Sequence, residues 1–297
     1  MPEGPEIARE ADRIRAAIGG ESVERVRFAF PELKRRSAIF TDSRVESVTS
    51  RGKAMLVSFD NGLTIYSHNQ LYGKWFIRNA GRLPKTGRQL RLAIETKEKW
   101  ALLYSASEIE VLDEVGLSHQ PYLQKLGPDA LAPSTTLESV LERLETKRFM
   151  RRGLGSLLLD QAFVAGLGNY LRSEICFEAR LHPDQRPVDL TPADRRRLAR
   201  AVLTMTRRSY ETGGVTLPAS RAARLRTQGA NWAQARHWVF ARKGAPCRRC
   251  DENIQRFDLG GRRIYACRSC QPNRRSATAR LRAQGGSKPH DDVINDA

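Results

Sequence analysis

Between residues 5 and 18 the apolar side chains Ile7, Ala11, Ile14 and Ile18 recur on one helical face, and Gly19-Gly20 end the pattern. The period then shortens to two. Residues 45–49 and 55–59 alternate about a turn at Arg51-Gly52-Lys53, and Asn61-Gly62 is a two-residue hairpin signal leading into 63–67. A loop at 68–73 is followed by strand patterns at 74–78, 90–96 and 100–105. Residues 2–120 thus predict one helix leading into an antiparallel β-sandwich. In such a meander the 51–53 turn and the 68–73 loop lie at the same end of the sheet. Lys53 is therefore expected to share an edge with Gln70, Leu71 and Tyr72.

From residue 121 the spacing becomes helical, over 137–144, 154–165, 170–179 and 192–209. Between the second and third of these lies Gly166-Leu167-Gly168-Asn169, a tight connection with Asn169 as the expected N-cap. A helix start of this kind is a seat for phosphate, although the same residues suit an ordinary helical corner. Residues 211–236 are rich in Arg, Gln and Ala with weak patterning, which predicts a linker. The organisation expected is an α+β multidomain chain: a sandwich domain at 2–120, a helical domain at 121–228, a small module at 237–271 and a disordered tail at 272–297.

The 297 residues carry 51 Lys+Arg against 33 Asp+Glu, a formal charge of +18. The excess is local. Residues 186–282 hold 23 basic and 6 acidic residues, a net +17, which leaves about +1 elsewhere. A near-neutral body with a basic portion suits a protein that meets a polyanion, with nucleic acid as the leading candidate. At 40% hydrophobic residues the chain can build packed cores. No run approaches the roughly 20 apolar residues of a membrane span, and no apolar segment follows a basic start. A soluble protein without a visible secretion signal, and with no membrane partner, is expected.

Four of the five cysteines are Cys247, Cys250, Cys267 and Cys270, in the pattern C-x2-C, sixteen residues, C-x2-C. Two such turns build a tetrahedral thiolate site, which predicts one structural Zn²⁺. Cys176 lies in a helical pattern and reads as a buried thiol. Residues 1–6 read Met-Pro-Glu-Gly-Pro-Glu. Removal of the initiator methionine would leave Pro2 with a secondary α-amine, partly neutral near pH 7 and able to form an iminium with an aldehyde-like carbon. Glu3 and Glu6 beside it could move protons.

These features occur together with several longer stretches: PEGPEI (2–7), FAFPELK (28–34), RGKAML (51–56), YSHNQLYG (66–73), LYSASEIE (103–110) and LLLDQAFVAGLGNYLRSEI (157–175). In this combination the chain resembles the formamidopyrimidine-DNA glycosylase/endonuclease VIII family from residue 2 to about residue 270. The resemblance implies a β-sandwich, a helix-two-turn-helix domain and a zinc-finger β-hairpin. It also implies that Pro2 is a Schiff-base nucleophile at C1′, that Glu3 is the general acid/base, and that Lys53 acts in β-elimination. Gln70, Leu71 and Tyr72 would fill the gap left by an extruded base, and Asn169 would bind backbone phosphate. Arg262, five residues before Cys267, would contact phosphate and assist δ-elimination, with Arg263 the neighbouring candidate. Lys125 stands where the family has arginine, keeping the charge but losing the bidentate fork.

The function this implies is base excision repair by a monomeric DNA glycosylase/AP lyase, which removes oxidised pyrimidines from double-stranded DNA and nicks by β,δ-elimination. Two alternatives are a non-enzymatic zinc-ribbon nucleic-acid binder and a glycosylase of the same family aimed at oxidised purines. Pro2, Glu3 and Lys53 argue against the first, and Gln70-Leu71-Tyr72 against the second.

Overall fold

In the computed structural model, residues 2–273 are described. The first helix, α1 (Gly4–Ile18), is followed by β1 (Val23–Phe28) and a single turn, α2 (Pro31–Lys34). Then come β2 (Val45–Arg51), β3 (Ala54–Phe59), β4 (Thr64–His68), β5 (Lys74–Asn79), β6 (Leu90–Thr96), β7 (Lys99–Tyr104) and β8 (Glu108–Leu112). They form two antiparallel sheets ordered β1-β6-β7-β5 and β2-β3-β4-β8. Apolar faces of both sheets meet the Ile7, Ala11, Ile14 and Ile18 stripe of α1 in one core, so the alternating and helical patterns bury their apolar sides against each other. The β2-β3-β4 meander pairs Arg51 with Ala54 and Ala54 with His68, which puts the 51–53 turn and the loop after His68 at one sheet end. The outer face of that sheet is covered by α3 (Glu114–His119) and α4 (Pro121–Gln124), through Leu123, Tyr122 and Leu126.

The helical half comprises α5 (Leu137–Glu145), α6 (Leu154–Leu157), α7 (Asn169–Glu178) and α8 (Pro192–Thr212) around a second core, followed by α9 (Ala219–Thr227). Two expectations change here. The helical pattern at 154–165 yields only the four residues of α6, followed by successive turns. Asp160 Oδ1 accepts the Ala162 N–H at 2.8 Å and Gln161 Oε1 the Gly166 N–H at 3.0 Å. These side chains take backbone partners that a continuing helix would have used. The stretch 211–236 is not a loose linker. α8 runs to Thr212, and α9 then forms from good helix formers, packing Ala222 and Leu225 against the cluster of Leu217 and Trp238.

The last hairpin pairs β9 (Gln255–Leu259) with β10 (Arg262–Ala266) across Gly260-Gly261. Both glycines have positive φ, 60° and 70°, as a tight two-residue hairpin turn requires. Of the tail at 272–297, nearly all lies outside the described residues. Among the described residues no helix is long and apolar enough to cross a membrane.

Candidate active site

Pro2 is half-buried, and Glu3 is the N-cap of α1. The backbone N–H of Glu3 donates to Glu6 Oε2 at 3.0 Å. Glu3 Oε1 accepts the Tyr170 N–H at 2.8 Å, and Oε2 accepts the Leu171 N–H at 3.3 Å. The carboxylate therefore sits on the N-terminus of α7, where free amides and the helix dipole favour negative charge. This corrects the expected role of Asn169. Gly168 is the N-cap and Asn169 the first helical residue, because Glu3 supplies in trans the acceptor a capping side chain would have supplied. A Cβ at position 168 would stand 2.3 Å from Glu3 Cδ, so only glycine leaves room. Asn169 Oδ1 is buried without a hydrogen-bond partner among the described residues.

Burial outweighs the charge of Lys53 and the two amide bonds, and pushes the Glu3 carboxyl up to about 7. Lys53 is 9% exposed. The turn that carries it is clamped: Tyr122 Oη accepts the Lys53 N–H at 2.9 Å, and Asp129 Oδ2 accepts the Gly52 N–H at 2.6 Å. Desolvation holds the Lys53 ammonium below the usual lysine range, Glu3 opposes that shift, and Arg262 adds to it. Lys53, on the β2-β3 turn, thus lies close enough to feel both Glu3 at the start of α1 and Arg262 on the finger hairpin.

Arg262 is carried to this place by a residue sequence reasoning missed. Arg172, fully buried on α7, donates from Nη2 to the carbonyls of Arg262 and Arg263 at 2.9 and 3.0 Å, and from Nη1 to Gly155 O at 2.9 Å. Two residues along, the buried Glu174 accepts the N–H groups of Trp238, Val239 and Phe240 at 2.8–2.9 Å. The signal for both was a helix with no polar face, where an Arg and a Glu can only be buried and must be paired. Tyr122 and Asp129 gave no such signal.

At the shared sheet end, the 69–73 loop is closed by the Gly73 N–H donating to Asn69 O at 2.7 Å. Leu71 and Tyr72 project, at 58% and 69% exposure. Gln70 has φ +46° and is tied to Glu108 Oε2 and Ser107 Oγ, each at 3.0 Å. Pro2, Glu6, Glu10, Asn69, Leu71 and Tyr72 line a common cavity of about 370 Å³. Lys125 is exposed at the end of α4, just after the Tyr122 clamp.

The Sγ atoms of Cys247, Cys250, Cys267 and Cys270 lie within 4.8 Å of one another. Cys250 is 3.4 Å from both Cys267 and Cys270, and Cys247 is 3.9 Å from Cys270. Thiolates at roughly 2.3 Å from a tetrahedral zinc are spaced about 3.8 Å apart, so the donor set fits. The N–H groups of Arg249 and Cys270 point at Cys247 and Cys267 sulfurs, each at 3.4 Å, as charged thiolates favour. Cys176 is buried apart from them, and burial pushes its thiol up to about 12.

Residues 1–107 match the formamidopyrimidine-DNA glycosylase N-terminal domain, and residues 126–220 match the helix-two-turn-helix domain of the same glycosylases. The chain is 46% identical to Endonuclease 8 of Escherichia coli and 45% identical to Endonuclease 8 of Pectobacterium carotovorum, each over 271 residues, 91% of this chain and 100% of the relative. The chain belongs to the formamidopyrimidine-DNA glycosylase/endonuclease VIII family. It is a DNA repair glycosylase of that family. The fold agrees with solved structures of the Lactococcus lactis formamidopyrimidine-DNA glycosylase. One holds DNA with a N7-benzyl-Fapy-dG and another DNA with an oxidised pyrimidine, each at TM-score 0.75 and 19% identity, covering 92% of this chain and 100% of that chain.

Proposed function

We propose that the chain is a bifunctional DNA glycosylase/AP lyase that removes oxidised pyrimidines through a Schiff base on Pro2, acting as a monomer on double-stranded DNA. The observation that carries this reading is Glu3, a buried carboxyl with pKa near 7, fixed on α7 one residue from Pro2. The Pro2 nitrogen attacks C1′ and Glu3 protonates the sugar ring oxygen as the base departs, leaving an iminium. That iminium acidifies C2′–H, and loss of this proton expels the 3′-phosphate; a second elimination expels the 5′-phosphate. Lys53, held below its usual range, takes and returns protons beside the scissile phosphate. Arg262 and Lys125 compensate phosphate charge, with Asn169 at the start of α7.

Leu71 and Tyr72 fill the stack vacated by the extruded nucleotide, offsetting a few kcal/mol of unstacking. Zinc held by Cys247, Cys250, Cys267 and Cys270 supplies folding energy to the finger, and its closed thiolate shell leaves no site for an activated water. Borohydride should trap the protein on DNA containing an abasic site, with the attachment at Pro2, and Pro2→Gly should remove most of that product. Undiminished trapping at another residue overturns the reading.

A further inference from the structure

The cavity that contains Pro2 has a wall the reaction does not use. Asn69 is 4% exposed on that wall, and its buried Oδ1 receives no hydrogen bond from the described residues. Its Nδ2, by contrast, is committed: it donates to Glu10 Oε2 at 3.1 Å. Glu10 is itself fixed, accepting the backbone N–H of Trp75 with Arg13 and Lys74 nearby. The Asn69 backbone is fixed too, by the 2.7 Å bond from Gly73 that closes the loop. The amide is thus held in one orientation, donor toward Glu10 and acceptor left over. A buried acceptor without a donor is a deficit that a ligand N–H would remove.

A nucleotide whose C1′ reaches Pro2 must carry its base into or beside this cavity. An oxidised thymine or uracil presents an imide, with an N3–H donor between two carbonyls. An oxidised cytosine that keeps its amino group presents a bare N3 acceptor there instead. We propose that Asn69 is a specificity-determining residue whose Oδ1 accepts the N3–H of the extruded base, with Glu10 as the positioning residue that stops the amide from turning over. Where Glu10 is ionised, the chain then favours imide lesions over oxidised cytosines, because turning the amide to suit cytosine would set Oδ1 against the Glu10 carboxylate. This rests on the proposal that Pro2 attacks C1′.

The test uses the full chain under single-turnover conditions at about pH 8, where Glu10 is ionised, on duplexes with 5-hydroxyuracil or 5-hydroxycytosine at one position. Unmutated protein should prefer 5-hydroxyuracil by roughly ten- to a hundredfold, the effect of one buried hydrogen bond gained in one case and opposed in the other. The two bases differ as leaving groups, so the change in that ratio decides. Glu10→Gln can satisfy either amide orientation and should narrow the ratio mainly by speeding 5-hydroxycytosine excision, an outcome that simple loosening of the site would not give. Asn69→Leu should narrow it by slowing 5-hydroxyuracil excision. Independently of any variant's folding, N3-methyl-5-hydroxyuracil should be removed as poorly as 5-hydroxycytosine. If the methylated base is excised as fast as its parent, or the ratio is the same in both variants as in the unmutated protein, the inference is overturned. Borohydride trapping on abasic DNA separates the two levels: trapping with an unaltered ratio removes only the base-reading role, whereas absence of trapping removes the Pro2 chemistry itself.

Discussion

Replacing Gly168 by alanine isolates what the start of α7 does for Glu3. The backbone at 168 has φ −143° and ψ −154°, which alanine adopts without strain. The added methyl carbon would nevertheless lie 2.3 Å from Glu3 Cδ and 2.5 Å from Oε1, so the carboxylate must retreat by about 1 Å to reach ordinary contact distance. That retreat stretches the 2.8 and 3.3 Å bonds from Tyr170 and Leu171. A misplacement of this size at a catalytic group lowers rates by about a hundredfold, and the crowding itself costs about 1–3 kcal/mol of stability. Both amide bonds favour the ionised carboxyl, so losing them should carry its pKa above 7 and move the alkaline limb of the excision profile upward. Single-turnover excision from a 5,6-dihydrothymine duplex between pH 5.5 and 9, with a thermal melt alongside, measures both. A folded Gly168→Ala protein that keeps the unmutated rate and pH profile would show that Glu3 does not depend on the α7 amides.

The unmutated protein should itself give a narrow bell. Glu3 is a general acid only while protonated, so excision should fall tenfold per unit above about pH 7, while protonation of the Pro2 amine should lower it below about pH 8; a flat rate from pH 6 to 9 contradicts this. Glu10 is likewise pushed up to about 7 by burial, so the folded state holds its proton more tightly than the unfolded chain. Its contribution to stability is complete below about pH 4.5 and is lost as pH rises toward 7, and Glu10→Gln should flatten that decline in urea midpoints. Arg262→Ala should lower the slope of log affinity against log salt by about one unit and leave the β-eliminated 3′ end as the main product; unchanged slope and ends would remove Arg262 from both roles. Chelation should abolish DNA binding and expose four cysteines to alkylation under native conditions, with Cys176 still protected; labelling of all five would mean that the helical core opens with the finger.

What sequence could supply depended on how local each constraint was. The α1 stripe, the β2-β3-β4 meander and the cysteine pairs are set by neighbours within a few residues, and their positions follow from spacing. β1 escaped notice because a register shift between Val23 and Arg25 breaks its alternation. The long helix expected at 154–165 failed because backbone N–H groups donate to the Asp160 and Gln161 side chains, partners invisible to an apolar pattern, and turn the chain instead. The site divides in the same way. Pro2, Glu3, Lys53 and Arg262 were accessible through resemblance and spacing, and the fold brings them together. Asn169 was misjudged as a cap because the group that takes the cap's place comes from 166 residues earlier. Arg172, Tyr122, Asp129 and Glu10 act through partners 59 to 90 positions away in the chain, and no short window along the sequence contains both members.

α7 receives Glu3 on its first amides, grips the finger hairpin through Arg172 and holds residues 238–240 on Glu174. A copy in which the finger has not docked would leave Arg172 with Gly155 alone and Glu174 without its three backbone donors, a cost borne by the same helix on whose first amides Glu3 rests. Competence to cut DNA is in this sense a vote by the whole molecule. A chain damaged at a distant cysteine is therefore expected to lose the finger hairpin and the support beneath Glu3 together, so that one lesion in the module reaches both ends of the fold.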